Sequence, residues 1–213
     1  MLRLHGYFRS SASYRCRIAL NLKGLGYERV CVNLVKDGGQ QLGAAYRALN
    51  PQALLPTLEH EGHILTQSLA IIEYIEETWP DPPLLPGNVA MRARIRAFAL
   101  AIAADTGPVN NLRVLRYLKR QLGQEQAAID GWYRHWSEKG LLACEALLPE
   151  AGSAFCFGER PTVADICLVP QLYNARRFNS DLTRIPRLLA IERRCSALSA
   201  FAEAAPEAQP DAA

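Results

Sequence analysis

The chain has 213 residues, of which 49% are hydrophobic and 21% are charged. That size and apolar fraction allow a buried core and exclude an unfolded chain. Lysine and arginine number 24 against 21 acidic residues, so the net charge of +3 gives no basic excess for nucleic acid. No apolar run approaches the roughly 20 residues of a membrane-spanning helix, and the first residues are typical of a strand and not of a secretory signal. We therefore expect a cytoplasmic globular protein with no nucleic-acid and no membrane partner.

The cysteines are scattered, at positions 16, 31, 144, 156, 167 and 195. They include no CxxC pair and no metal-ligand spacing. Most lie among apolar neighbours, which predicts buried thiols, no disulfide framework and no metal site.

The first eighty residues alternate between strand and helix patterns. Gly24 is a stop signal for the first helix, Glu61-Gly62 suits a hairpin turn, and Ser68 is the expected N-cap of the last helix. The predicted order is βαβαββα. Its elements are a strand on Leu2 and Leu4, a helix over 13–23, a strand on Val30, Val32 and Leu34, a helix over 41–49, strands over 54–58 and 63–66, and a helix over 68–78.

The stretch 80–87 is rich in proline, cannot continue a helix or sheet, and predicts a linker. Beyond it, apolar residues repeat at helical spacing. We expect a break or a kink at Gly107-Pro108, a helix over 125–148, and a helix opened by a capping box of Thr162 and Asp165. The tail from Ala205 has nothing to bury and is expected to be loose. The predicted domains are an α/β domain over 1–80, a linker over 81–87 and an all-helical domain over 88–213.

Short motifs along almost the whole chain resemble those of one family. The most specific is SSASYRCRIAL at 10–20, which resembles the signature SSCxxRxRIAL of the zeta-class glutathione transferases. Further matches lie at 33–41, 48–52, 55–56, 67–74, 110–112, 162–171 and 209–211. One such motif is weak evidence, whereas the ordered set is specific. The chain resembles the zeta class, the family of maleylacetoacetate and maleylpyruvate isomerases.

The resemblance implies a thioredoxin-like N-terminal domain, a helical C-terminal domain, a homodimer and glutathione as the cofactor. Ser10 and Ser11 precede the first helix, where free backbone N–H groups favour an anion. One of them, with Ser10 favoured, is implied to stabilise the glutathione thiolate, although read alone both are ordinary helix caps. Leu55-Pro56 stands at the family's cis proline, where general statistics favour trans. The residues implied to bind glutathione are Ser10, Ser11, Ala12, Arg15, Gln41, Gln52, Leu55, Pro56, Gln67, Ser68 and Asn111.

Two positions depart from the family pattern. Ala12 stands where the signature has cysteine, and it can neither donate a hydrogen bond nor form a mixed disulfide. Gly107 stands where relatives carry histidine or glutamine. The adding nucleophile is the sulfur of glutathione itself, so the missing cysteine affects the contacts of the site more than the class of reaction. At Gly107, one contact to glutathione or substrate is expected to be absent.

Arginines are the expected ligands of a dianionic substrate, because the planar guanidinium forms two parallel hydrogen bonds with a carboxylate. The resemblance implies that Arg9, Arg113 and Arg177 bind the substrate carboxylates and stabilise the enolate, with Arg9 also counted among the catalytic residues. Any single arginine is more often on a solvated face. Arg177 is preferred to Arg176, which is one step off that face.

We expect a cis–trans isomerisation by thiolate addition, bond rotation and elimination. The leading substrate is maleylacetoacetate, which would give fumarylacetoacetate in tyrosine and phenylalanine breakdown, and the alternative is maleylpyruvate. A transferase or dehalogenase acting on other small acids, and a glutathione-binding protein without catalysis, remain open.

Overall fold

A computed structural model describes residues 1–212, which form two compact units. The first contains residues 1–84 and 196–212, and the second contains residues 85–195. The domain boundaries given above stay a sequence-based prediction. In chain order the elements are β1 (Leu2–Gly6), α1 (Ser11–Leu22), β2 (Tyr27–Cys31), α2 (Ala44–Leu49), β3 (Thr57–His60), β4 (His63–Thr66), α3 (Ser68–Thr78), α4 (Val89–Leu100), α5 (Gly107–Val109), α6 (Leu112–Arg120), α7 (Gln126–Leu147), α8 (Val163–Arg177), α9 (Pro186–Ser196) and α10 (Ser199–Ala202).

The first unit is built on a four-stranded sheet of order β2-β1-β3-β4. β1 is parallel to β2 and antiparallel to β3, and β3 is antiparallel to β4. Glu61 and Gly62 join β3 to β4 with φ of 49° and 80°, the left-handed geometry that a two-residue hairpin turn needs. Helices α1 and α3 pack together, and their residues Ile18 and Ile71 are fully buried. The predicted hairpin and the βαβαββα order are confirmed.

The second strand is shorter and earlier than predicted. It covers Tyr27–Cys31, so Val32 and Leu34 lie beyond it. Its partner β1 ends at Gly6, whose carbonyl accepts the Val32 N–H at 2.8 Å, and no strand continues past that bond. Val32 is nevertheless buried, which is why the apolar alternation runs past the end of the strand.

Three other local boundaries also differ from the prediction. Ser68 is the first residue of α3 and not its cap, because Gln67 occupies the cap position with φ of 67°. The predicted helix over 41–49 is a 3-10 turn at Gln40–Leu42 followed by α2. The predicted strand over 54–58 begins only at Thr57.

Lys23, at the C-terminal end of α1, binds the end of α3 and the segment 79–84 that follows it. Its side chain is fully buried, and the ammonium donates to the Glu76 carboxylate (2.6 Å) and to the carbonyls of Trp79 (2.6 Å) and Pro82 (2.7 Å). Glu76 in turn accepts the Leu84 N–H at 2.9 Å. All three ammonium donors therefore have acceptors, and the segment is held by charge-assisted bonds.

The variant Lys23→Met is expected to lower the free energy of unfolding by about 3–5 kcal/mol, because Glu76 would stay buried without its charged partner. Urea unfolding followed by circular dichroism measures this loss. Lys36→Met removes an exposed ammonium and serves as the control, with a change within about 0.5 kcal/mol. Equal losses in the two variants would contradict the structural role of Lys23.

The chain stays helical through Gly107-Pro108, so the first of the two expected outcomes, a break at this point, is wrong. The chain continues through a π-helical segment (Ala101–Thr106) into α5, and the break comes at Asn110 and Asn111. The wider π turn accommodates a proline ring that has no N–H to donate. Within the same unit, Gly140 of α7 lies so close to the Thr106 hydroxyl that a β-carbon would overlap it.

Thr162 and Asp165 form the predicted capping box at the start of α8. Asp165 is completely buried and accepts hydrogen bonds from the Cys156 N–H (2.8 Å), the Thr162 N–H (2.8 Å) and the Thr162 hydroxyl (2.9 Å). Burial raises the pKa of Asp165, and these bonds act against that shift. The box fixes the start of a helix whose last residues are Arg176 and Arg177. The predicted helix over 125–148 is α7.

From residue 205 to residue 212 the tail is packed and not loose, so that prediction is wrong for these residues; Ala213 lies outside the described residues. Helix α10 packs on α1, and Ala204 and Pro206 beyond it are buried. Gln209 is buried as well and donates to the carbonyls of Glu203 (2.9 Å) and Ala205 (2.8 Å). The buried residues here are small or polar, so a composition poor in large apolar residues does not reveal that the tail is packed.

Within residues 1–212, no helix combines the length and the apolar character that crossing a membrane requires. No group of histidine, cysteine and acidic residues that could hold a metal lies in the same range. Cys31 is exposed and the other five cysteines are buried, and none of the six is in a disulfide.

Candidate active site

Ser10 combines a capping bond with a hydroxyl hydrogen that is still available. It is the N-cap of α1, and its Oγ accepts the Ser13 N–H at 3.2 Å. The N–H groups of Ser11 and Ala12 make no hydrogen bond to residues 1–212, and the first turn holds no acidic residue. A hydroxyl both accepts and donates, so Ser10 can cap the helix and also donate to a negatively charged atom. Ser11, at the first helical position, is half-buried and makes no hydroxyl bond to the described residues.

Arg9 lies directly before Ser10, in the irregular segment between β1 and α1. Its guanidinium donates to the Tyr7 hydroxyl at 3.2 Å and lies over the Phe8 ring, 5.1 Å from its centroid. The residue is exposed, and no carboxylate of the described chain pairs with it. Two aromatic rings thus hold a cation that is free to bind a carboxylate.

The Leu55-Pro56 bond is cis, in the segment that leads into β3. The Leu55 N–H and C=O make no hydrogen bonds inside the range 1–212. The preceding carbonyl of Leu54 is held by the Asn50 amide (2.7 Å) and the Tyr46 hydroxyl (2.7 Å). A fixed backbone edge with unpaired groups is suited to pairing with an extended peptide.

The N-terminus of α3 forms an anion-binding arrangement. No side chain caps this helix, so its first N–H groups have no side-chain acceptor. The Ser68 Oγ accepts from Arg15 at 3.0 Å, which leaves the Ser68 hydroxyl hydrogen to donate elsewhere. Arg15 is only 4% exposed, its Nε has no partner, and no carboxylate among the described residues pairs with it. A buried guanidinium without an acid, beside a helix N-terminus, favours a bound carboxylate.

Of the glutamines, Gln52 and Gln67 are brought together by the structure, whereas Gln41 is not joined to them. The Gln67 amide donates to the Gln52 side-chain oxygen at 2.8 Å, next to the start of α3. Gln41 is buried, and its side-chain oxygen has no hydrogen-bond partner among residues 1–212. Gly39 permits this placement, because a β-carbon there would lie 2.6 Å from the Gln41 amide nitrogen.

The second unit holds the remaining predicted residues. Asn111 caps α6 by accepting the Arg113 N–H at 3.0 Å, and the Arg113 side chain is exposed. At the end of α8 the two neighbouring arginines differ: Arg176 forms a two-bonded pair with Glu192 of α9, and Arg177 is exposed and bonded only to the Asn174 side chain at 3.2 Å, with its guanidinium over Phe178. No contact joins Arg113 to Arg177 in the described chain.

The sequence reasoning missed three residues around this site. Tyr7 orients Arg9, and Arg17 and Asp211 contact the backbone of Phe8. Asp211 belongs to the motif at 209–211 and Arg17 to the motif at 10–20, but neither motif indicated what these two side chains do.

The first unit therefore offers three features in separate residues: a donor hydroxyl at α1, an unpaired peptide edge at Leu55, and a carboxylate site at α3. Glutathione carries the matching groups, namely a thiolate, a cysteinyl peptide unit and a γ-glutamyl carboxylate. The residues present fit this cofactor.

Comparison with known proteins decides the family. The N-terminal domain model of glutathione S-transferase matches residues 9–78, and the C-terminal domain model matches residues 126–204. A probable maleylacetoacetate isomerase of Vibrio cholerae is 51% identical over 98% of this chain and 97% of its own length. A solved holo structure of a maleylpyruvate isomerase, described as a bacterial zeta-class glutathione S-transferase, is 46% identical, covers 99% of this chain and all of its own, and superposes with a TM-score of 0.96. The chain belongs to the zeta class of the glutathione S-transferases.

A second structural relative of this zeta-class transferase was solved with a ligand. It is a maleylacetoacetate isomerase from Anaeromyxobacter dehalogenans with glutathione bound in its active site. It is 42% identical, with a TM-score of 0.89, and covers 100% of this chain and 98% of its own. The expected fold, a mixed four-stranded sheet with helices followed by a helical C-terminal domain, is confirmed.

Proposed function

We propose that this zeta-class transferase is a glutathione-dependent cis–trans isomerase that converts maleylacetoacetate to fumarylacetoacetate. The observation that carries the proposal is Ser10, whose oxygen caps α1 while its hydrogen remains available for a thiolate. The relatives that match over nearly the whole chain bear isomerase names and include structures with bound glutathione. We further propose a cytoplasmic homodimer that acts in aromatic amino acid catabolism.

The residues of the first unit hold glutathione. Ser68, the N-terminus of α3 and the buried Arg15 bind the γ-glutamyl carboxylate, with Gln67 beside them. The unpaired backbone of Leu55, before the cis Pro56, pairs with the cysteinyl unit. Gln41, Gln52 and Ala12 complete the proposed set in this unit, and Asn111 is the one residue proposed from the second unit.

The Ser10 hydroxyl donates to the sulfur and lowers the pKa of the thiol, with Ser11 and the free N–H groups of α1 adding to the positive potential. When bound, glutathione supplies a thiolate that adds to the cis double bond and is eliminated after the bond has rotated. Arg9, Arg113 and Arg177 bind the two carboxylates and stabilise the enolate charge.

We expect Arg177→Ala to lower kcat/KM for the diacid by about 10- to 100-fold, the loss of one charge-assisted contact. Arg176→Ala is the matched control, because Arg176 is already paired with Glu192. The control is expected to lower stability, because the buried Glu192 loses its charged partner, and to leave kcat/KM of the folded enzyme nearly unchanged. Steady-state kinetics on both variants tests this, and a larger kinetic loss in Arg176→Ala would reverse the assignment.

Maleylpyruvate is the second candidate substrate, and the TM-score of 0.96 to a maleylpyruvate isomerase favours keeping it. A haloacid dehalogenase or other transferase activity, and glutathione binding without catalysis, are the remaining alternatives.

The deciding experiment mixes purified protein and glutathione with maleylacetoacetate, maleylpyruvate or a small haloacid in separate reactions. Loss of cis-diacid absorbance and appearance of the trans product report isomerisation, and halide release reports dehalogenation. The higher kcat/KM identifies the substrate. Glutathione binding by calorimetry without turnover of either diacid would contradict the isomerase proposal.

A further inference from the structure

The motif at 209–211 lies against the segment that carries Arg9 and Ser10. The Asp211 carboxylate accepts the Phe8 N–H at 3.0 Å, and Arg17 donates to the Phe8 carbonyl at 3.0 Å. Both backbone polar groups of Phe8 are therefore held by charged side chains. Arg9 and Ser10 are the next two residues, so the position of the Phe8 backbone determines the positions of their backbones.

Arg17 links the same segment to the tail. It is 4% exposed, donates its Nε to the Ala204 carbonyl at 2.9 Å, and reaches the Tyr7 carbonyl at 3.4 Å. Burial lowers the pKa of Arg17 to about 10, so the guanidinium is still charged at neutral pH. The tail and the segment before Ser10 thus share one buried cation.

Asp211 is itself held in place. Pro210 and Asp211 are the central residues of a turn closed by the Ala212 N–H on the Gln209 carbonyl at 3.0 Å, with proline in its favoured position. The Cys31 thiol lies 3.3 Å from the same carboxylate oxygen. Burial and the neighbouring Asp211 raise the pKa of Cys31 to about 11, so the thiol stays protonated and donates.

A cavity of about 240 Å³ lies beside these residues, lined among others by Leu4, Arg17, Cys31 and Pro210. Phe8 and Asp211 both line this cavity, so the bond between them borders open space. Polar bonds, and not close side-chain packing, fix the Phe8 backbone on that side.

We infer that Asp211, together with Arg17, is a positioning residue of the active site: it holds the Phe8 backbone so that the Arg9 guanidinium and the Ser10 hydroxyl keep their geometry. Asp211 acts through Phe8 and does not itself contact substrate. This inference rests on the proposed function, in which Ser10 stabilises the glutathione thiolate.

The test compares wild type with Asp211→Ala in the full-length protein. Without ligand, amide hydrogen exchange at Phe8 is expected to be about 10-fold faster in the variant, because a hydrogen bond to a charged group is lost. With glutathione bound, the thiol pKa read from thiolate absorbance is expected to rise, and kcat to fall by about 10- to 100-fold, while the Kd of glutathione stays within about 2-fold.

Two variants separate positioning from general stability. Asp211→Asn keeps an acceptor oxygen for Phe8 and is expected to restore exchange, thiol pKa and kcat nearly to wild type. Asn21→Ala removes a hydrogen bond between α1 and α10, from the Asn21 amide to the Ala200 carbonyl (3.0 Å). This change does not alter any contact of Phe8. It is expected to lower stability and leave the thiol pKa unchanged.

The inference is overturned if Asp211→Ala leaves Phe8 exchange unchanged, or if exchange accelerates while thiol pKa and kcat stay at wild-type values. An equal effect of Asn21→Ala on the thiol pKa would overturn it too. If wild type binds glutathione without lowering its thiol pKa, the proposed role of Ser10 fails and the positioning role with it. That failure is recognised in the wild type, before any substitution is made.

Discussion

Ser10→Ala is expected to lower kcat of the isomerisation by about 100-fold or more, in line with the removal of a single donor to a developing anion. The reason is that the Ser10 oxygen is held by the Ser13 N–H while its hydrogen is left to donate to the thiolate. Steady-state kinetics and the thiol pKa of bound glutathione measure the effect. The pKa should rise in the variant, and activity should recover in part at higher pH.

The change also removes a helix cap worth about 1 kcal/mol, so loss of structure has to be separated from loss of chemistry. Ser10→Thr retains both the cap and the hydroxyl and is expected to keep part of the activity. Ser11→Ala leaves the cap intact and is expected to lose less than Ser10→Ala. If Ser11→Ala is the more damaged variant, the thiolate donor is Ser11.

Asp165→Ala is expected to lower the free energy of unfolding by about 3–5 kcal/mol, the largest loss at any capping position of the described chain. The change leaves the Cys156 N–H, the Thr162 N–H and the Thr162 hydroxyl buried without an acceptor, and each such group costs about 1–3 kcal/mol. Urea and thermal unfolding measure the loss.

Asp165→Asn supplies a graded control, because one acceptor oxygen remains while an amide group faces the other donors. Its loss is expected to be smaller than that of Asp165→Ala. Asp105→Ala removes an exposed carboxylate in the same unit and is expected to change stability by less than about 0.5 kcal/mol. A mild effect of Asp165→Ala, close to that of Asp105→Ala, would show that the box is dispensable.

Features whose cause is local in the chain could be predicted from the sequence. Glu61-Gly62 and the pair of Thr162 and Asp165 carry their own turn and cap chemistry within a few residues, and both are found as predicted. The zeta-class motifs also pointed to the right family. The Gln67 backbone could not be predicted in the same way, because a positive φ at a glutamine is set by the surrounding structure and not by its own preference.

Features that depend on distant residues were missed. The sequence favours Arg177 over Arg176 by its helix face, but the pairing of Arg176 with Glu192 on another helix could not be predicted. The tail was expected to be loose because it offers little apolar surface, whereas Gln209 and Asp211 are held mainly by hydrogen bonds to residues near them in space. A tail held by hydrogen bonds cannot be recognised from the hydropathy of its residues.

The first unit contains residues 1–84 and 196–212, which are separated by the whole of the second unit. This arrangement determines the order in which the two units can fold during synthesis. Phe8 and Asp211 are 203 positions apart, so the bond between them forms only after the chain as far as Asp211 has left the ribosome. The second unit, residues 85–195, is continuous and can close earlier, which reverses the usual order of N-terminal domains first. The segment that bears Ser10 is therefore set only after residues 85–195 have been made, and a chain translated only as far as residue 195 would lack the bond from Asp211 to Phe8.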